Sequence, residues 1–349
     1  MNRNVLLFAL VLACLVGWPL TCPAPLVYRP GEGWTYESVG GGKWVRARAK
    51  DQYEVAKAAF DSKKYRLATK AARRTVKRWP LSDYAPQAQY VLARCYEGRR
   101  MDEKAFNEYQ RLIEKYPKAE NYDDVLHRQY EIANRFLAGQ WFKLWGYIPF
   151  FPSMEKTADM YAKLIRNGPY SSVATQAQLK IGTAREKQKD YASAAKAYEK
   201  AADVYHDQKD VAAEATYRLG QARYKQATTA EYDQSVASDA ITTFNDFILL
   251  FPNDPRVAEA QKIIVKLRTE QAQGSFRIAV YYEKKHQLEG ALVYYNEVLI
   301  KDPDSKYATE AKQRIPILKE KVAAKEAAAK AAVDLKALEP IGEPRRGRR

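Results

Sequence analysis

Histidines, cysteines and glycine-rich turns are where a chain of 349 residues would place acid–base, metal or phosphate chemistry, and here they are sparse. The three histidines, His127, His206 and His286, lie far apart in segments of helical pattern. No HExxH pair and no cysteine pair at metal-ligand spacing accompanies them. Gly40-Gly41-Gly42-Lys43-Trp44 has the lysine of a phosphate-binding loop. It lacks a first glycine at the right distance, a Ser or Thr after the lysine, and a preceding strand. Of three cysteines, Cys14 and Cys22 fall in an apolar leader, and Cys95 sits on a helical apolar pattern, as a buried structural thiol does. The abundant Asp and Glu residues lie on amphipathic helices, where they form solvated faces and helix-surface pairs. The reading is therefore no catalytic residues, no metal and no cofactor. An enzyme of unfamiliar chemistry stays open as an alternative.

Binding chemistry is better represented. The chain has 25 tyrosines, 58 basic against 42 acidic residues and a formal net charge of +16. Such a balance permits nucleic acid, anionic lipid or acidic protein as partners. No zinc-finger spacing, RNP-like stretch or basic region joined to heptads is present, so nucleic acid is not expected. Three surfaces stand out. Lys50, Tyr53, Lys57 and Phe60 recur at helical steps, and Gln87, Tyr90, Arg94 and Glu97 repeat that spacing. Tyrosine and arginine at such positions offer large, amphipathic contact area for an extended peptide, and packing between neighbouring helices is the competing use. Arg66, Lys70 and Arg74 share one helix face, with Arg73, Lys77 and Arg78 nearby. That stripe suits anionic headgroups or an acidic partner, or is a solvated exterior. Finally, Gly139 to Pro152 carries Trp141, Phe142, Trp145, Phe150 and Phe151 among prolines and glycines. It reads as an irregular apolar loop for a membrane interface or a docking contact, or as a cover folded over its own repeats.

The elements that must hold these residues are helices, given a composition rich in Ala, Lys, Glu, Gln and Tyr. They repeat. Pro80-Leu-Ser-Asp-Tyr-Ala-Pro-Gln-Ala-Gln89 is echoed from Pro169, from Pro303 and, more loosely, from Pro252. Proline stops one helix, Ser or Asp caps the next, and two alanines let it pack closely. Upstream of each proline slot comes a large residue, a small one and an aromatic, then Ala, an aromatic and an aliphatic residue. Leu92, Ala93, Tyr96, Ala105, Tyr109 and Leu112 are one set. Ile278, Ala279, Tyr282, Ala291, Tyr295 and Val298 are another, and His206 takes the proline slot of a third. This is the tetratricopeptide pattern of antiparallel helix pairs, each burying its face against its neighbours.

The fold expected is therefore all-α, a superhelical solenoid of about six helix pairs over 49–305 with helix 306–338 after it. In that arrangement the first helix of each pair lines the inner groove. Insertions are expected near 139–152 and 228–238, and an extra helix at 255–271 leads into the sixth pair. Residues 1–24 read as an export signal, with Cys14 in a lipobox-like Val11-Leu12-Ala13-Cys14 as the candidate lipidation site and cleavage near Ala24 as the rival. An extended aromatic arm spans 25–48, and 339–349 is a basic tail expected to be disordered.

In this register the chain resembles the BamD-type outer-membrane assembly lipoproteins. The resemblance rests on Tyr53 to Pro117, with Tyr65, Ala68 and the run Trp79-Pro80-x-Ser82-x-Tyr84-Ala85-Pro86-Gln87-Ala88, and on Phe276 to Tyr282, Ala291 and Pro303-Asp-Ser305. It implies a lipoprotein on the periplasmic side of the outer membrane, a non-catalytic scaffold whose partners are other envelope proteins, among them β-barrel assembly subunits or their clients, with association at the membrane surface. The extra repeats, the poor lipobox and the 139–152 insertion depart from that family. An envelope adaptor for cell division, peptidoglycan or pilus assembly is the alternative.

Overall fold

The computed structural model describes residues 26–29, 33–36, 44–144, 148–229 and 234–338. The leader with Cys14, and the tail from 339, lie outside the described residues. The chain divides into two compact halves, one up to Ala174 and one from Thr175.

Within the N-terminal half, the arm contains an antiparallel pair, β1 (Leu26–Arg29) and β2 (Gly33–Tyr36). Three helix pairs follow. They are α1 (Ala49–Asp61) with α2 (Tyr65–Arg78), α3 (Tyr84–Gly98) with α4 (Asp102–Lys115), and α5 (Tyr122–Leu137) with α6 (Met154–Asn167). The C-terminal half consists of α7 (Ala174–Lys187) with α8 (Tyr191–Val204), and α9 (Lys209–Thr229) with α10 (Gln234–Leu250). It continues through α11 (Val257–Lys284), α12 (Leu288–Lys301) and α13 (Lys306–Leu338). The architecture is the all-α tetratricopeptide solenoid. The extra helix at 255–271 is continuous with the first helix of the sixth pair, so α11 is 28 residues long.

Two expectations need correction. The 139–152 segment is not irregular: β3 (Phe142–Leu144) and β4 (Ile148–Phe151) pair antiparallel in it, with a register irregularity beside Phe142. In the fifth pair the insertion is shorter than 228–238, because α9 runs on through Thr229 and α10 begins at Gln234. Polar residues there have adequate helix propensity, and an extended amphipathic pair continues the seam that a loop would end.

The turns inside the pairs are built alike. In four of them the middle residue has left-handed backbone: Lys63, Arg100, Lys189 and His286, with φ of 56°, 54°, 60° and 58°. The next amide then closes back on the helix, as Lys64 N donates to Ala59 O at 2.9 Å and Met101 N to Tyr96 O at 2.9 Å. Asp190 N to Arg185 O and Gln287 N to Tyr282 O repeat the bond at 3.1 and 3.0 Å. This is a Schellman closure, and at Lys63, Arg100 and Lys189 a cation at the helix C-terminus suits the dipole. The fifth example uses Gly139, φ 108°, with Gln140 N on Arg135 O at 3.1 Å, and there the chain leaves into β3. His286 and His206 thus sit in turns and only His127 in a helix.

Between pairs, the expected serine cap is present once. Ser305 Oγ accepts from Ala308 N at 3.2 Å and also donates backwards to Asp302 O at 2.9 Å, as Ser82 and Ser171 do to Trp79 O and Gly168 O. The paired alanines behave as expected. Ala85 and Ala88, Ala174 and Ala177, and Ala308 and Ala311 are all fully buried.

The core repeats with the sequence. In four pairs a small residue of the first helix (Ala93, Gly182, Gly220 or Ala279) and an aromatic of the second (Tyr109, Tyr198, Phe244 or Tyr295) are both buried, and the two glycines lie directly against the rings of Tyr198 and Phe244. Closest is Gly182, where an added Cβ would lie 2.4 Å from the Tyr198 ring. Cys95 is buried beside this seam, and burial pushes its thiol up to about 11, so it is a packing residue. Gly182→Val is expected to destabilise the fold by about 1–3 kcal/mol through overpacking. Urea unfolding followed by circular dichroism reads this as a lower midpoint.

A candidate protein-binding face on the first helices

The eight residues expected to line the groove lie on α1 and α3, the first helices of pairs one and two. Lys50 and Lys57 are exposed, and Tyr53, Phe60, Gln87, Tyr90, Arg94 and Glu97 are half-buried. Three of them meet. The Arg94 guanidinium lies 5.4 Å from the Phe60 ring centre and 5.7 Å from that of Tyr90, joining the two pairs by cation–π contacts. Phe60 also touches Tyr65, at 5.8 Å between ring centres. Tyr53 stands apart and packs on Tyr84 at 5.9 Å.

Around Tyr90 the face is a hydrogen-bonded ladder that joins Tyr90, Arg94 and Glu97 to Asp124, Arg128, Arg135 and Asp102, which the sequence did not single out. Its hydroxyl donates to Asp124 Oδ2 at 2.5 Å and accepts from Arg94 Nη1 at 3.0 Å and Arg128 Nε at 3.1 Å. Arg128 bonds Asp124 at 2.8 Å and reaches Glu97 at 3.5 Å. Glu97 accepts from the buried Tyr109 hydroxyl at 2.9 Å, and Arg135 bridges Glu97 to Asp102, which also receives Gln140 at 2.7 Å. Burial alone would raise the Asp124 carboxyl, but the hydrogen bonds from Tyr90 and Arg128 hold it below the usual carboxylate range. Burial, then Glu97, pushes the Tyr109 phenol up, so it stays a hydrogen-bond donor.

A signal for this ladder existed. Tyr295 and Glu283 of the last pair, with Arg314 on the helix after it, reproduce the Tyr109, Glu97 and Arg128 trio at the same separations of 12 and 31 residues. Tyr295 donates to Glu283 at 2.7 Å, and Arg314 meets the same oxygen at 2.9 Å.

On the 139–152 insertion, Trp141 is half exposed and Phe142 is buried, stacked on Phe136 with ring centres 4.1 Å apart. Phe142 therefore belongs to the packing of the third pair. Trp145 and the side chains of Phe150 and Phe151 lie outside the described residues. Among the described residues no group of His, Cys, Asp or Glu gathers to hold a metal ion, and no helix is long and apolar enough to cross a membrane.

Residues 153–302 match the YfiO family, described as outer membrane lipoprotein, and residues 87–119 match the tetratricopeptide repeat. The chain is a tetratricopeptide-repeat protein similar to that lipoprotein family. Among solved structures it is similar to the C-terminal part of a tetratricopeptide protein from Cytophaga hutchinsonii, at 15% identity and TM-score 0.34, over 76% of this chain and 87% of that one. A tetratricopeptide protein from Parabacteroides merdae aligns at 12% identity and TM-score 0.32, over 78% and 98%. PilF of Pseudomonas aeruginosa does so at 12% and 0.28, over 76% and 97%. No curated protein matches by sequence.

The tetratricopeptide fold is a protein-interaction scaffold, and the ladder gives this one a pH dependence. A carboxylate held below its ordinary value contributes stability above that value and loses it as pH falls through the lowered one. Asp124 is such a group, and so is Glu283, whose burial is outweighed by its bonds from Tyr295 and Arg314. Thermal midpoints are expected to fall on acidification below about pH 4. Arg128→Gln, which removes one partner of Asp124, should narrow the gap between the midpoints at neutral and at acid pH.

Proposed function

We propose that the chain is a non-catalytic scaffold of the bacterial cell envelope, exported to the periplasmic side of the outer membrane, that holds extended protein segments against the first helices of its N-terminal repeats. The observation carrying the reading is the cluster of Phe60, Tyr90 and Arg94 beside the Asp124–Arg128 ladder. It presents aromatic faces, a phenol and guanidinium groups half-exposed on adjacent first helices. Backbone amides and carboxylates of an extended chain can exchange into such hydrogen bonds, while the rings supply contact area. Lys50, Tyr53, Lys57 and Gln87 widen the surface toward the first pair. The similarity of residues 153–302 to outer membrane lipoproteins supports the envelope setting. Within it, the partners proposed are subunits of the β-barrel assembly machinery or their clients, and lipidation at Cys14 is the proposed anchor.

Photocrosslinkers placed at Lys57 and Gln87, followed by purification from solubilised envelopes, test this. The expected product is a β-barrel assembly subunit or an outer-membrane client, with yield reduced at least tenfold by combining Tyr90→Ala with Arg94→Ala. Truncation of one hot-spot residue typically costs ~2 kcal/mol or more. An unchanged helical signal must accompany that loss. Crosslinking to a division or pilus complex instead would move the protein to that assembly.

A further inference from the structure

Helix α2 is the molecule's most one-sided charged element. It carries six basic residues, Arg66, Lys70, Arg73, Arg74, Lys77 and Arg78, and no acidic one. Five of the six are exposed and Arg74 is half-buried. Among the described residues none of the six is in an ion pair, although Arg73 donates to the Tyr96 hydroxyl. This sets α2 apart from the first-helix face, where each arginine of the ladder meets a carboxylate.

Two hollows open along the helix. One, of about 830 Å³, lies at its N-terminal end and is lined by Lys63, Lys64, Arg66, Arg99 and Lys143 around Tyr65, Leu67 and Met101. The other, of about 410 Å³, holds the remaining five cations and Trp44. Among the described residues no carboxylate lines either hollow. In the second, Arg74 Nε is buried without a hydrogen-bond acceptor among the described residues. The first hollow also receives the N-terminus of α2, which has no side-chain cap and no acidic residue in its first turn. At the other end, just past the helix, Leu81 is 97% exposed.

We infer that this face of α2 docks the protein on an anionic phospholipid surface, with headgroup phosphates seated in the two hollows. Cations spread over ~18 Å of one helix face match a planar array of phosphodiesters, each set in water at the headgroup level. An indole among those cations and a bare leucine at the helix end are the groups that enter the boundary between headgroups and acyl chains. An acidic peptide would use the charges and leave Leu81 unexplained. The docking face lies on a second helix of the first pair and so leaves the first-helix face of the same pair available. It is independent of the partner proposed above.

The test is sedimentation of the full chain with phosphatidylcholine vesicles and with vesicles containing phosphatidylglycerol. Binding is expected to the second alone and to weaken with salt. Arg66→Glu with Lys70→Glu and Lys77→Glu, all exposed positions, should lower the apparent affinity on the order of a hundredfold. The helical signal and the crosslinking yield at Gln87 should stay unchanged. Leu81→Ser, which alters no charge, should weaken binding several-fold. Equal binding to both vesicle types, or a charge-reversed variant that binds as well as wild type, would overturn the inference. Wild-type protein that ignores vesicles but binds pyrophosphate or poly-glutamate would assign the face to a soluble anion or an acidic protein, and would overturn it as well.

Discussion

In most helix pairs the approach of the two backbones is set by one aromatic ring packed near one small residue. Tyr109, Tyr198, Phe244 and Tyr295 are all fully buried, in pairs whose first helices bury Ala93, Gly182, Gly220 and Ala279. A ring buried to that extent contributes roughly 1.5–3 kcal/mol of apolar transfer in each of these four pairs, whereas the second helix of the first pair buries Ala68, Ala71 and Ala72 in its place. Where the aromatic is tyrosine, the seam acquires a second requirement, because a buried hydroxyl needs a partner. Glu97, Thr183 and Glu283 answer it from the first helix of the same pair. A glutamate placed there is itself half-buried and calls for a cation. Arg128 supplies one from the first helix of the next pair, and Arg314 from α13, the helix that follows the last pair. Core packing thus dictates, two steps removed, which charges appear on the first-helix face.

That chain of dependence gives the protein two differently made charged surfaces. On α3 and α5 the arginines are held by carboxylates and phenols, so the local charge is nearly balanced and the side chains are pre-ordered. A binding partner there gains from geometry, since the entropy of arranging these groups has already been lost in folding. On α2 no carboxylate among the described residues opposes the cations, the field extends into solvent, and its reach is set by ionic strength. The net charge of +16 is therefore not a uniform coat. It is strongest where helix surface pairs are missing.

The repeat was legible because the seam demands small and aromatic residues at fixed spacing, and Ala93, Tyr109, Ala279 and Tyr295 obey it in several copies. Less legible was whatever depends on partners distant in sequence. Arg128 looks like any solvated arginine until Glu97, 31 residues earlier, is placed beside it. The 139–152 segment reads as irregular because Pro149 and two glycines interrupt it. Yet its first strand is fixed by Phe142 stacking on Phe136, a contact that no local pattern encodes. Ser82 and Ser305 share one motif and both close the turn behind them, but of the two Ser305 alone also caps the helix ahead.

Where the likeness to the lipoprotein family falls along the chain carries a final consequence. The match covers 153–302, which begins with the second helix of pair three and ends with that of the last pair. The cation–π cluster, the Tyr90 ladder and the basic helix all precede it. The seam that builds the scaffold is common to both regions, so the N-terminal repeats could diverge at their solvent-facing positions without disturbing it. Lys50, Lys57, Arg66, Lys70 and Lys77 are all exposed and outside the seam, and changing them costs the core nothing. In this chain the positions freest of packing duty therefore coincide with those bearing the most distinctive chemistry. That is the pattern expected when recognition is added to a scaffold whose fold is secured elsewhere.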